Sequence, residues 1–227
     1  MFYLSRNLML SREICGLKQF NSMAEIKDLI VNSNNIAVVI PADSSIDKFC
    51  AGVGVMRMVM AKQKNCTFLF DGEIPEDCKD IIGETEVQKE LQQRELLVSI
   101  DYSGTQASKV HYYTEDQTLY LSVSPINKDF DISKVIPIIK GSDFDLVLSV
   151  GVPTQEKLGK FQDVLKNVKL VNFDNSIDNT NYGTFNITGA ETSVLSLFVL
   201  NNAYKLGLKA DEIAAKALLK GIVNKTM

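Results

Sequence analysis

The chain has 227 residues, enough for one large domain or for a domain with an attached piece. Its 45% hydrophobic and 23% charged residues are those of an ordinary soluble globular protein. A net charge of −4 with no block of five or six like charges gives no strong nucleic-acid signal and argues against an anionic-membrane surface, and no apolar run approaches the length of a transmembrane helix.

The four cysteines, at 15, 50, 66 and 78, have no paired metal spacing, and the chain has one histidine. This reads as reduced thiols in a cytoplasmic protein, with Cys50 and Cys66 as small core residues. Residues 1–22 form an N-terminal extension with Arg6, Arg12 and Lys18 against Glu13. They are either an organelle presequence, an added helix, or the product of a start site placed too early, with Met23 opening a single domain over 23–227.

In chain order, Ala24–Val31 is an amphipathic helix and Asn35–Ile40 a buried β-branched strand ended by Pro41. Ile46–Lys62 is a helix with a broad apolar face. Cys66–Phe70 is a second strand, Ile81–Gln93 is helical or partly loop, and Glu95–Ile100 is a third strand ending in Asp101. Val110–Tyr113 and Thr118–Val123 alternate around a turn and predict a β-hairpin insertion at about 110–123. Ile132–Ile139 is read as a helix and Phe144–Val150 as a strand. Pro153 then opens a helix through Leu165.

Val168–Phe173 is another strand, Phe185–Ile187 a short one, and Glu191–Leu206 and Ala210–Ile222 are helices. Strands alternating with helices predict an α/β fold, a mostly parallel Rossmann-like sheet with helices on both faces. Ligands of such sheets sit outside the carboxyl ends of the strands.

Four stretches fall at such ends. In Pro41-Ala42-Asp43-Ser44-Ser45-Ile46-Asp47, Ser44 is expected to cap the helix and Asp47 to complete a capping box. In Ser149 to Gly159, Gly151 is either a tight turn or a source of free backbone N–H groups for an anion. Asp174-Asn175-Ser176-Ile177-Asp178-Asn179 sets two acids and two amides after a strand, with Asn179 ordering the local turn. Gly221 to Thr226 brings Lys225 to the end of the last helix. Asp71 is a turn residue, Asp101 a strand-end carboxylate, and His111 a surface residue of the hairpin.

Taken together, these stretches resemble the DHH phosphoesterase superfamily, which includes RecJ-type exonucleases and nanoRNases. The resemblance rests on the NIAVVI strand with its turn and helix, the LVLSV strand with Leu158-Gly159, the Asn179-Thr180-Asn181-Tyr182-Gly183 frame and the closing Lys220-Gly221-Ile222. It implies a two-metal centre using Mn²⁺ or Mg²⁺ for in-line attack on phosphate. In register, Pro41, Ser45, Gly151, Asn175, Ser176 and Lys225 stand where the family has ligands, and only Asp47 and Asp174 remain.

The family's second, substrate-gripping domain has no counterpart in these 227 residues. The expectation is therefore a catalytically degenerate domain that needs no cofactor. It would serve in assembly or bind a phosphate-containing small molecule, such as a nucleotide, through Asp43, Asp47, Asp101, Gly151, Asp174, Asn175, Asn179 and Lys225. The alternative is an active phosphodiesterase or phosphatase, dependent on Mn or Mg, with a metal set drawn from Asp43, Asp47, Asp101 and Asp174. A third reading is a scaffold, a homo-oligomer joined through the Val110–Val123 hairpin.

Overall fold

A computed structural model describes residues 22–83, 86–92, 94–189 and 192–227. All but the last residue of the expected N-terminal extension lies outside them. The strands are β1 (Asn35–Val39), β2 (Asn65–Leu69), β3 (Val87–Gln88), β4 (Glu95–Ile100), β5 (Lys109–Glu115), β6 (Thr118–Ser124), β7 (Val135–Lys140), β8 (Leu146–Val150), β9 (Lys169–Asp174) and β10 (Phe185–Thr188). The helices are α1 (22–32), α2 (Ile46–Met60), α3 (Gln162–Leu165), α4 (Leu195–Lys205) and α5 (Glu212–Thr226). The chain divides into two compact units, one made of the chain up to Leu91 together with Asp143–Met227, the other Gln92–Ser142.

In the first unit six parallel strands form one sheet in the order β10-β9-β8-β1-β2-β3. Each strand sends alternate residues to opposite faces. Ile36, Val38, Phe68, Leu146, Leu148, Val150, Val171 and Phe173 pack on the side of α1, α2, α4 and α5. Ala37, Val39, Leu69, Val147 and Leu170 face Val152, Leu158, Phe161 and Leu165 on the other side. The α/β class, the parallel sheet and the helical cover on both faces are as expected. No helix among the described residues is long and apolar enough to cross a membrane.

On the first face α5 runs antiparallel to α2, with Leu218 over Gly54 and Gly221 against Cys50 and Ser196. A methyl group at Gly221 would lie 2.1 Å from the Ser196 hydroxyl, so the helices meet this closely only because the position is glycine. The expected small core thiols are Cys50, fully buried, and Cys66, half-buried. Unforeseen in the sequence, buried Cys78 brings its sulfur to 3.8 Å from that of Cys50.

Several elements differ from expectation. The helix expected from Pro153 to Leu165 is a 3-10 segment, Gln155–Phe161, followed by the short α3. Gly159 breaks it at φ 58°. Among the described residues of Ile81–Gln93 there is a strand, β3, at the edge of the sheet beside β2. The helix expected over Ile132–Ile139 is a 3-10 turn, Ile132–Lys134, and then strand β7. Val135, Ile136, Ile138 and Ile139 are β-branched and favour extended backbone, and Pro137 has no N–H to give a helix. The third strand, β4, stays out of the parallel sheet and pairs antiparallel with β7. A two-stranded ribbon tolerates Pro137 because its edge need not donate.

The second unit holds β4–β7 and the expected hairpin, β5–β6. Asp116 (φ 45°) and Gln117 (φ 65°) make the hairpin turn, as a two-residue turn of inverted handedness requires. His111 is exposed there, as expected of a surface residue.

Candidate functional site

From β1 the chain moves outward to β2 and β3, and from β8 it moves the other way to β9 and β10. The two directions part between β1 and β8. In open α/β sheets a crevice opens at the carboxyl ends of such a pair. Here the segments leaving those ends are Pro41–Ser45 and Gly151–Thr154, with the start of α2 beside them.

Asp47 is 3% exposed and lies in the first turn of α2. It does not close a capping box. Ser45, not Ser44, is the N-cap, accepting from the Lys48 N–H at 3.4 Å, while the Ser44 hydroxyl donates to the Pro41 carbonyl at 2.5 Å. The Asp47 carboxylate instead reaches α4. Its Oδ2 accepts from the Leu195 N–H at 2.8 Å and its Oδ1 from the Ser196 N–H at 2.9 Å. Val194, the N-cap of α4, has no polar side chain, so Asp47 supplies the cap from another element.

Gly151 holds φ 67°, and a methyl group there would meet Leu195 at 2.7 Å and the Lys48 stem at 3.2 Å. Its N–H is not free for an anion, as the sequence suggested, because it donates to the Phe173 carbonyl at 2.8 Å. That bond ties the end of β8 to the end of β9, one residue before Asp174. Asp174 is fully buried; Oδ2 accepts from the Asn179 amide at 2.7 Å, and Oδ1 has no hydrogen-bond partner among the described residues. Asn179 also orders its own loop, accepting from the Asn181 N–H at 2.8 Å. Asn175 donates to the Thr192 carbonyl at 2.8 Å, bracing the approach to α4.

Asp43 is exposed and ion-paired to Lys157 at 2.6 Å, and that hydrogen bond chiefly holds its carboxyl below the usual range. Asp71 pairs with Lys160 at 2.6 Å. Lys48 is half-buried and lies close enough to lower the Asp43 pKa as well, and its side-chain ammonium makes no hydrogen bond or ion pair to another described residue. Lys225 is exposed in the last turn of α5. With Gly221 against Cys50, that turn points toward the end of α2 where Asp47 lies.

The first unit thus gathers Asp43, Asp47, Gly151, Asp174, Asn175 and Asn179 at the carboxyl edge. Asp101 belongs to the second unit, where it accepts from the Ser103 N–H at 2.9 Å and faces Lys134. Among the described residues no group of three or more His, Cys, Asp or Glu converges as a metal-binding set.

Sequence reasoning passed over Lys48, Lys157 and Lys160. Their only signal was adjacency to the motifs. It also passed over a buried polar relay, in which the Tyr182 hydroxyl donates to Ser149 Oγ at 2.9 Å and Ser149 donates to Asn172 Oδ1 at 2.9 Å. A groove of about 390 Å³ lined by Arg57, Asp80, Glu86, Ile213 and Lys216 lies at the opposite end of α2 and takes no part in this edge.

The chain is similar in structure to an exopolyphosphatase-related protein from Bacteroides fragilis, with a TM-score of 0.61 at 10% sequence identity. The match covers 91% of this chain and 50% of that one, so the chain spans about half the neighbour's length. At that identity the likeness is one of fold. No family model matches the sequence, and no curated protein matches it.

Proposed function

We propose that this chain is a DHH-phosphoesterase-like domain that has lost its divalent-metal centre and binds a phosphate-bearing small molecule at the β1–β8 crevice. The observation that carries the reading is the engagement of Asp47. A ligand to a hard divalent ion must present anionic oxygen to it, yet both Asp47 oxygens accept helix N–H groups in a buried position. Around it, Pro41, Ser45, Gly151, Asn175 and Ser176 offer no carboxylate or imidazole. The donor set does not fit a pair of metal ions.

The Lys48 stem lies beside Gly151 at this edge, and Lys157 pairs there with Asp43. Lys48 would neutralise a phosphate group that the family neutralises with cations, as a point charge with rotatable donors. The fold likeness to an exopolyphosphatase-related protein supports a phosphate-bearing ligand of this class.

Thermal unfolding with orthophosphate, ATP and tripolyphosphate tests this, because a ligand selective for the folded state raises its midpoint. At least one of the three should raise the midpoint, and Lys48→Ala should abolish the rise. A chromogenic phosphodiester should not turn over with added Mn²⁺. Turnover that needs Mn²⁺ and disappears in Asp174→Ala would overturn the proposal. The buried, unpartnered Oδ1 of Asp174 is the one observation favouring that second reading, an active enzyme with a rearranged metal set.

A further inference from the structure

We infer that one face of the β5–β6 hairpin is a self-association surface, and that its occupant is the same face of a second copy of this chain. The hairpin register sorts the side chains sharply. Cross-strand pairs lie on a common face, and one face carries Val110 with Val123, Tyr112 with Leu121, and Thr114 with Leu119. The opposite face carries Lys109 with Ser124, His111 with Ser122, Glu115 with Thr118, and the stacked pair Tyr113 and Tyr120. The first face has no charged residue, yet Val110 is 69% exposed, Tyr112 76%, Leu119 59% and Leu121 51%.

Burial is scarce in the whole unit. No described residue between Gln92 and Ser142 is buried. A two-stranded hairpin is at best marginally stable in water without a covered apolar face. A contiguous apolar strip of this kind marks a contact surface.

The area and the charge select the occupant. Side chains of these kinds present on the order of 150–230 Å² when fully exposed. At their observed exposures, Val110, Tyr112, Leu119 and Leu121 offer about 450–500 Å² of mostly apolar area. A standard interface buries about 800 Å² per partner, a little over half of it non-polar. The strip therefore matches the non-polar share of one side of a stable dimer, and the polar residues around it would supply the rim.

Gln92–Ser142 holds five basic and six acidic residues, a net charge of −1. That near-neutrality lets two copies approach without repulsion. It offers no field for nucleic acid or an anionic membrane. A two-fold axis sets the strip on itself and buries both copies at once.

Light scattering and sedimentation of the full chain test this. The chain should have twice its monomer mass at concentrations on the order of 10–100 µM. Tyr112→Glu and Leu121→Glu should each weaken association by at least about tenfold. His111→Glu and Ser122→Glu, on the other face of the same strands, should leave it unchanged. Far-UV circular dichroism should be the same for all four. As a second readout, Tyr112→Cys should cross-link between chains on mild oxidation and His111→Cys should not. A monomer throughout that range, or a dimer that is indifferent to which face is altered, would overturn the inference.

Discussion

Asp47 and Ser196 meet twice. Asp47 Oδ1 accepts the Ser196 N–H at 2.9 Å, and the Ser196 hydroxyl donates to the Asp47 carbonyl at 3.1 Å. The starts of α2 and α4 are locked together across 149 residues of sequence. The carboxylate in the first turn of α2 does its work on the terminal N–H groups and positive end of α4, which have no acceptor within their own helix.

Asp47→Ala should therefore destabilise the fold by about 2–3 kcal/mol, because it strips two buried helix-terminal N–H groups of a charged acceptor. For a chain of this size that is roughly 5–10 °C in melting temperature. Denaturant and thermal unfolding would check it. Unchanged stability, with the effect confined to Mn²⁺ binding measured by calorimetry, would show that Asp47 is a ligand and not a cap.

Gly221→Ala should also destabilise, against the trend for exposed helices, where alanine gains about 1 kcal/mol over glycine. The new methyl group would lie 2.1 Å from Ser196 Oγ and 2.9 Å from Cys50 Cβ. A loss of about 1–3 kcal/mol is expected from such overpacking. Ser196→Ala removes the nearest atom, so the two substitutions together should cost less than their sum by more than about 0.5 kcal/mol. Strict additivity in a double-mutant cycle would mean that the helices simply move apart.

Tyr182 links the site to alkaline pH. Burial, with the Asp174 charge behind it, pushes its phenol well above the ordinary tyrosine range, against a smaller opposing effect of the Ser149 hydrogen bond. The folded state therefore favours neutral Tyr182. That stability is fully present below the unfolded tyrosine pKa of about 10 and is lost as pH rises through the higher folded value. In an absorbance titration at a phenolate wavelength, one of the seven tyrosines should ionise only as the protein unfolds. Tyr182→Phe should remove that late phase and flatten the fall in stability above about pH 10. A late phase that persists in the variant would assign it to another tyrosine.

The sequence by itself determined most strands and helices of the first unit, though not strand β3 or the 3-10 character of Gln155–Phe161. The runs NIAVVI, LVLSV and VKLVNF, and the apolar face of Ile46–Lys62, match β1, β8, β9 and α2 to within about two residues at each end, because hydrophobic periodicity is a local property. Where local signals conflict it failed. Ile132–Ile139 is apolar enough for a helix, but its β-branched residues and Pro137 carry it into a strand.

Only the tertiary structure decided what the strand-end residues do. Asp47 was legible as a carboxylate at a helix start, but its acceptors' partners, Leu195 and Ser196, lie at the far end of the chain. Gly151 was legible as a turn, but its N–H is spent on β9. The point between β1 and β8 where the sheet order turns outward follows from strand order, which comes from how faces pack and not from any single stretch. A buried polar group must find its partner wherever the fold brings one, and sequence spacing carries no record of that distance.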